Sequence, residues 1–157
     1  MIEFLLFALQ LLGAYAAADA AGGLFHLATD HGYNFPRVVR NFLNHHERPW
    51  TMTFDLEPLL LGLPLIFVGL GFSSTFLILL GVFTGLSQLP HYFTHHPAPA
   101  WVQLLQRLRI FLPPKKHDAH HNGVYDRNYC VLAGWSDWWI NWIAARLPKP
   151  APYFPVL

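Results

Sequence analysis

The chain has 157 residues, of which 54% are hydrophobic and 12% are charged, against about 45–50% and about 25% in ordinary soluble domains. Ten Lys and Arg against nine Asp and Glu give a net charge of +1, so no basic field is available to attract nucleic acid. The single cysteine, Cys130, excludes a disulfide scaffold, and the apolar content excludes a disordered chain. The length fits one domain, residues 1–157.

The first predicted element is a membrane-spanning helix near the N-terminus. From Phe4 to Phe25 the only polar side chains are those of Gln10, Tyr15 and Asp19. These 22 residues make a helix of about 33 Å, enough to cross a bilayer. A signal peptide is the alternative, but its first residues should be positive, and the first basic residue here is Arg37.

A second apolar region follows, with no Asp, Glu, Lys or Arg from Pro58 to Gln106. Glycines and serines interrupt it near residues 69–74, so we predict two helices, about 57–71 and 73–96, joined by a tight turn. The first of the two is short, and this hairpin need not cross the membrane completely. A single span over 58–86 is the alternative, and it would place the histidines on opposite faces of the membrane.

The basic residues indicate how these segments are oriented. None precedes Arg37, and none lies between Arg48 and Arg107. Because basic residues concentrate in cytoplasmic loops, residues 28–56 and 97–157 are both expected to be cytoplasmic. The hairpin then brings every histidine to one face of the membrane.

Two later stretches have the pattern of helices that lie at a membrane interface. Apolar residues recur at helical spacing from residue 101 to 112, and tryptophans recur from residue 135 to 142. These are Trp101, Leu104, Leu105, Leu108 and Leu112, and then Trp135, Trp138, Trp139 and Trp142. A soluble core helix is the alternative for the tryptophans.

The predicted fold is therefore all-α. We predict an integral membrane protein with about three membrane helices, of which the second and third form a hairpin, and with additional interfacial amphipathic helices.

Histidine is the unusual feature of the composition, with ten copies, all between His26 and His121. Four groups stand out: His26 with Asp30 four residues later, the pair His45-His46, the H-x-x-x-H of His91 and His95, and the H-x-x-H-H of His117, His120 and His121. On a helix, residues four apart lie on one face and can direct two imidazoles at one metal ion. His31 and His96 have no such partner, and anchoring by hydrogen bonds is the simpler explanation for them.

Eight imidazoles are more than one tetrahedral zinc ion needs, whereas they suit two ions with open coordination positions. We therefore predict a dinuclear iron centre that uses oxygen and faces the cytoplasm. Proton relay or pH sensing by histidines without metal is the alternative.

In their order along the chain, these motifs resemble those of the lipid desaturase family, whose members include plasmanylethanolamine desaturase, the CarF-type bacterial proteins and the plastid desaturase of phosphatidylglycerol palmitate. The resemblance runs over residues 19–140. It rests on D-x3-G-x2-H-x3-D from Asp19 to Asp30, H-H-x-x-P from His45 to Pro49, the segment from Gln88 to His95, and H-x-x-H-H from His117 followed by Y-C-x-x-x-G-W from Tyr129 to Trp135.

The resemblance implies an enzyme that introduces a double bond into a lipid acyl or ether-linked alkyl chain. It implies two iron ions, O2, a membrane lipid substrate and an external electron donor, cytochrome b5-like or ferredoxin-like. The implied metal ligands are His26, His45, His46, His91, His95, His117, His120 and His121. A di-iron hydroxylase of a sterol, carotenoid or fatty acid is the rival function, and a membrane metal-binding protein without turnover is a third.

Two carboxylates complete the predicted site. A charge inside a membrane segment is costly, which makes Asp19 an expected functional residue. We expect Asp19 and Asp30 to accept a hydrogen bond from the free ring N–H of metal-binding histidines. Direct ligation by Asp30 is the alternative.

Overall fold

The computed structural model describes residues 1–31, 48–49, 57–122 and 125–148. Over these ranges the chain forms α-helices and no strand, which confirms the all-α prediction for this part of the chain. In chain order the helices are α1 (Ile2–Asp30), α2 (Glu57–Gly71), α3 (Thr75–Leu86), α4 (Gln88–His95), α5 (Ala100–Arg107), α6 (Pro114–His121) and α7 (Asp137–Ala144).

The predicted hairpin is formed by α2 and α3, which pack against each other along their length. The turn between them places Ser73 in the left-handed region, with φ 52°, and the Ser74 side chain accepts a hydrogen bond from the backbone N–H of Leu77. The two helices approach very closely at Gly62 and Gly81, since a Cβ on Gly81 would lie 2.6 Å from the Gly62 carbonyl oxygen. Glycine at these positions therefore sets the spacing of the hairpin.

The predicted helix over 73–96 is interrupted once. It divides at Ser87 into α3 and α4, and the Ser87 hydroxyl donates to the Thr84 carbonyl at 2.7 Å. Pro90 follows in α4 and has no backbone N–H to continue the hydrogen bonds of α3. The interruption begins the segment that carries His91 and His95.

Two helical segments are long and apolar enough to cross a membrane, Ile2–Asp30 and Thr75–His95. The third predicted membrane helix, α2, has 15 residues, and its length of about 22 Å is less than the hydrocarbon thickness of about 30 Å. The hairpin is thus observed, while α2 alone is shorter than a span.

Helix α1 runs beside α3 and α4 and in the same direction. Gly13 lies against Phe76 near the start of α3, and the ring centres of His26 and of His91 in α4 lie 6.4 Å apart. Apolar side chains before Gly13 are largely exposed, for example Phe4 at 78%, whereas Asp19 and His26 are fully buried. Helix α1 therefore has an apolar, outward-facing first half and a second half that is packed into the protein.

The buried part of the protein is built around the segment between α6 and α7. Tyr129, Cys130 and Leu132 are buried there against α1 and α7. A Cβ on Gly23 of α1 would lie 2.6 Å from Ile140 Cδ1 and 2.8 Å from Cys130 Sγ. Gly23 thus allows this segment and α7 to lie directly on α1.

The two predicted interfacial stretches keep most of their aromatic side chains on the outside. Trp101, Leu104 and Leu108 are exposed, whereas Leu112 is buried and its backbone N–H donates to the Leu132 carbonyl. Trp138 and Trp142 of α7 are also exposed, while Trp139 packs on the core and Trp135 precedes the helix. The Arg146 guanidinium lies 3.6 Å from the centre of the Trp142 ring. This combination of exposed Trp and Arg is typical of a membrane interface.

Candidate metal centre

Helices α4 and α6 pack against each other and bring together their two histidine motifs. The sequence starts α6 with Pro114 in the first turn, where a missing N–H costs nothing. His117 and His121 then lie four residues apart on one face of α6, opposite His91 and His95 on one face of α4. Burial is complete for His91 and His117.

These four side chains form the first group, which we call the four-histidine cluster. The Nε2 atom of His117 lies 2.9 Å from Nε2 of His91, 3.0 Å from Nε2 of His95 and 3.0 Å from Nε2 of His121. Candidate ligand atoms of all four residues lie within 4.8 Å of one another.

A metal ion fits this cluster better than hydrogen bonds alone. The His117 Nε2 atom has room for one proton or one lone pair, so it cannot make three proper hydrogen bonds at once. Ligand nitrogens around one ion, at about 2.0–2.1 Å from it, lie about 2.9–3.4 Å apart. The observed nitrogen spacing is therefore compatible with ligation of one ion by these residues.

The electrostatics of the cluster keep His117 neutral. Burial is the main cause that lowers the pKa of His117 well below its usual range, and the neighbouring His91, His121, His95 and His120 lower it further. Neutral imidazole is the form that binds a metal ion.

The second group consists of His26 and Asp30 of α1 with His120 of α6, and we call it the His–Asp–His cluster. One Asp30 oxygen lies 3.6 Å from Nε2 of His26 and 3.3 Å from Nε2 of His120. The other ring nitrogens face backbone carbonyls: Nδ1 of His26 lies 2.9 Å from the Tyr129 oxygen, and Nδ1 of His120 lies 2.7 Å from the Arg127 oxygen. Since a carbonyl only accepts, each Nδ1 carries a proton, and each Nε2 faces the Asp30 carboxylate.

This arrangement bears on the expected role of Asp30. Its carboxylate faces the two Nε2 atoms, the nitrogens available to a metal, and not an Nδ1–H. The three candidate ligand atoms lie within 4.8 Å of one another, and all three residues are buried. This placement fits direct ligation by Asp30, the alternative named from the sequence, and it equally fits a hydrogen bond from His120 to the Asp30 carboxylate.

The two clusters are direct neighbours. The His26 ring centre lies 6.4 Å from that of His91 and 6.3 Å from that of His117, and the rings of His117 and His120 are stacked at 5.9 Å. Both clusters also draw on α6, since His120 points to one and His117 and His121 to the other. The protein thus offers two adjacent places where a metal ion could be held.

The described residues include six of the eight predicted metal histidines, and all six belong to these clusters. The other two, His45 and His46, lie outside the described residues. His31 and His96 belong to neither cluster: the His31 Nδ1 atom lies 2.9 Å from the Leu27 carbonyl, and the His96 ring stacks on Tyr92 at 4.2 Å.

Asp19 is fully buried, but its carboxylate binds backbone and not a histidine ring. One oxygen accepts hydrogen bonds from the backbone N–H of Ala133 at 2.8 Å and of Gly134 at 2.9 Å, and the other accepts from Ser136 at 2.8 Å. Three charge-assisted bonds compensate for the burial of this carboxylate. The sequence predicted a metal-binding histidine as the partner of Asp19, and the structure shows three backbone N–H groups as its partners instead.

Sequence reasoning missed several groups around the clusters. The carbonyls of Arg127 and Tyr129 orient His120 and His26, and a backbone carbonyl gives no signal in a sequence. Lys116 and Asp137 were also missed; their ion pair, at 2.9 Å, joins α6 to α7. The sequence marks these two residues only by their positions beside the predicted motifs. Lys116 directly precedes His117, and Asp137 follows Trp135 by two residues.

These features define a class of protein: over the described residues it is all-α, with buried histidine clusters that could hold metal ions and apolar helices long enough to cross a membrane. The comparison with known families makes the assignment specific. The lipid desaturase domain matches residues 15–145, and the chain belongs to this family, which confirms the resemblance seen in the motifs.

Similar proteins occur in plants, bacteria and animals. Fatty acid desaturase 4-like 1, chloroplastic, of Arabidopsis thaliana is 31% identical over 153 residues, covering 81% of this chain and 50% of the relative. Plasmanylethanolamine desaturase of Myxococcus xanthus is 29% identical, and the match covers 84% of this chain and 54% of the relative. Plasmanylethanolamine desaturase 1 of Mus musculus is 27% identical, and the match covers 81% of this chain and 58% of the relative. The chain thus spans about half the length of the relatives that it matches, and no solved structure gives a significant match.

Proposed function

We propose that the chain is a membrane-bound lipid desaturase, which introduces a double bond into an acyl or ether-linked alkyl chain with O2 and electrons from an external donor. The observation that carries the proposal is the adjacency of two buried histidine clusters in a member of the lipid desaturase family. The names of the similar proteins support both chain types, since they include fatty acid desaturases and plasmanylethanolamine desaturases.

The proposed centre contains two iron ions. His91, His95, His117 and His121 would hold one of them, and His26, Asp30 and His120 would hold the other, with His45 and His46 completing the set. Together with O2, the iron centre supplies the oxidising power to remove two hydrogens from an alkyl chain, which no amino acid side chain can supply. Histidine and carboxylate ligands suit iron.

The residues of the chain position this chemistry. Helices α4 and α6 hold four imidazoles with their Nε2 atoms converging, and backbone carbonyls fix the ring orientation of His26 and His120. Complete burial of His26, His91, His117 and His120 excludes water from these ligands. The long apolar faces of α1 and α3 are suited to hold the lipid chain in line with the centre.

The partners and location follow from the same proposal. The substrate is a membrane lipid, and the electrons come from a cytochrome b5-like or ferredoxin-like protein. Two apolar helices and the desaturase relatives indicate a membrane protein. We propose a multi-pass protein whose histidine clusters face the cytoplasm, as the distribution of basic residues predicts.

Lipid analysis of cells tests the proposal. Cells that produce the chain are compared with cells that produce His117→Ala, which removes the histidine at the centre of the four-histidine cluster. A double bond that appears in a lipid only with the intact chain supports desaturation. A new hydroxyl group instead establishes the hydroxylase function, and identical lipids in both cultures establish a protein without this activity.

A further inference from the structure

The segment of residues 125–136, which we call the α6–α7 loop, orients one of the two clusters. It provides the Tyr129 carbonyl for Nδ1 of His26 and the Arg127 carbonyl for Nδ1 of His120. These two histidines come from different helices, α1 and α6, and are aligned by acceptors two residues apart in one loop. The position of the loop therefore decides where both Nε2 atoms point.

The loop is held in place from α1 by Asp19. The Asp19 carboxylate accepts hydrogen bonds from three backbone N–H groups of the loop, those of Ala133, Gly134 and Ser136. Asp19 lies two helical turns before His26 on the same helix. The helix that presents His26 thus also anchors the loop that orients the His26 ring.

A second carboxylate holds the loop from the side of α7. Asp137 accepts a hydrogen bond from the Cys130 N–H at 2.9 Å and forms an ion pair with Lys116 of α6 at 2.9 Å. Lys116 also donates to the Gly134 carbonyl. Gly134 has φ +81°, and a Cβ there would lie 2.7 Å from Lys116 Nζ, so the loop conformation depends on glycine at this point.

The four-histidine cluster is organised differently. Its contacts at Nε2 are made among the four imidazoles themselves, across the packed faces of α4 and α6. The α6–α7 loop supplies the orienting carbonyls of the other cluster. A change in the loop therefore acts on the two clusters unequally.

We propose that Asp19 is a positioning residue. By anchoring the α6–α7 loop, it sets the affinity of the His–Asp–His cluster for its metal ion, whereas the affinity of the four-histidine cluster does not depend on it. The inference rests on the proposed function, since it requires a protein with two metal ions. Loss of a partner that orients metal-binding histidines lowers metal affinity by about 10–100-fold.

The test compares metal binding by the purified 157-residue chain and by Asp19→Asn, which removes the charge at nearly constant volume. Glu3→Gln is the matched control, because Glu3 is an exposed carboxylate on the same helix. Gly134→Ala is a second variant that disturbs the loop, because φ there is +81° and the added Cβ would lie 2.7 Å from Lys116 Nζ. Iron content is measured during titration with a chelator, Mössbauer spectra of the iron-57 protein separate the two sites, and circular dichroism monitors folding.

In the wild-type protein and in Glu3→Gln, two iron signals are expected. In Asp19→Asn we expect one signal to persist and the other to be lost at chelator concentrations about 10–100-fold lower than in the wild type. Should Asp19→Asn not fold, the same result is required of Gly134→Ala. Equal loss of both signals, unchanged signals, or unfolding of both variants overturns the inference. A wild-type chain that binds fewer than two iron ions refutes the proposed function itself, which separates that failure from a failure of the role of Asp19.

Discussion

His91 and His117 are 26 residues apart in the chain, and their Nε2 atoms lie 2.9 Å apart in the fold. The contact joins the H-x-x-x-H motif of α4 to the H-x-x-H-H motif of α6. The Nε2 atoms of His95 and His121 also lie next to Nε2 of His117. Because these nitrogens converge on one point inside the protein, the two motifs belong to a single site.

The number of metal ions is the first prediction. The protein purified in detergent should contain about two iron ions per chain, since the two clusters offer separate sets of ligands. Elemental analysis of protein produced with added iron provides the measurement. A single zinc ion, or no metal at all, would exclude the dinuclear centre.

Alanine substitutions of the predicted ligands form the second prediction. Replacing His26, His91, His95, His117, His120 or His121 by Ala should abolish lipid desaturation, and the same is expected for His45 and His46. His31→Ala and His96→Ala are the matched controls and should retain most of the activity, because these histidines belong to neither cluster. An inactive His31→Ala together with an active His26→Ala would contradict the assignment of the first motif.

Asp30→Asn tests whether the carboxylate is a ligand. The substitution keeps an oxygen that can accept a hydrogen bond but removes the charge that faces Nε2 of His26 and His120. We expect activity to be lost and the iron content to fall by about one ion per chain. Iron content equal to that of the wild type would restore the hydrogen-bonding role for Asp30.

The orientation of the chain is tested by cysteine labelling from each side of the membrane, in a background where buried Cys130 is replaced by Ala. Single cysteines at Asn41 and Asn122 should react only from the cytoplasm, and one at Ser73, in the turn of the hairpin, should not. Labelling of Asn41 and Asn122 from opposite sides would exclude a common site for the histidines before and after the hairpin.

Gly23→Ala tests the close packing that brings the α6–α7 loop and α7 onto α1. The added Cβ would lie 2.6 Å from Ile140 Cδ1 and 2.8 Å from Cys130 Sγ, so we expect a loss of about 1–3 kcal/mol of stability. Gly71→Ala is the control, since a Cβ there meets nothing within 4 Å. Thermal unfolding in detergent compares the variants, and equal midpoints would show that the contact at Gly23 is not restrictive.

Much of the architecture follows from the order of residue types along the chain. Long apolar runs, interrupted in α1 by the single charge of Asp19, predict α1 and the hairpin, because helix length and the cost of a buried charge depend on local sequence alone. The break near residues 69–74 is likewise local, since Gly and Ser favour a turn. Spacings of four residues place His91 with His95 and His117 with His121, because a helix returns to the same face after about four residues.

Only the tertiary structure decided how the histidines are divided between the two clusters. His120 lies next to His121 in sequence, yet it points about 100° away around α6 and joins His26 and Asp30 of α1. From the sequence alone, Asp19 is a costly charge in a membrane segment. Only the packing of the α6–α7 loop on α1 shows that Asp19 binds three backbone N–H groups. Helical spacing fixes which residues share a face, but the partner of that face depends on how helices distant in the chain pack together.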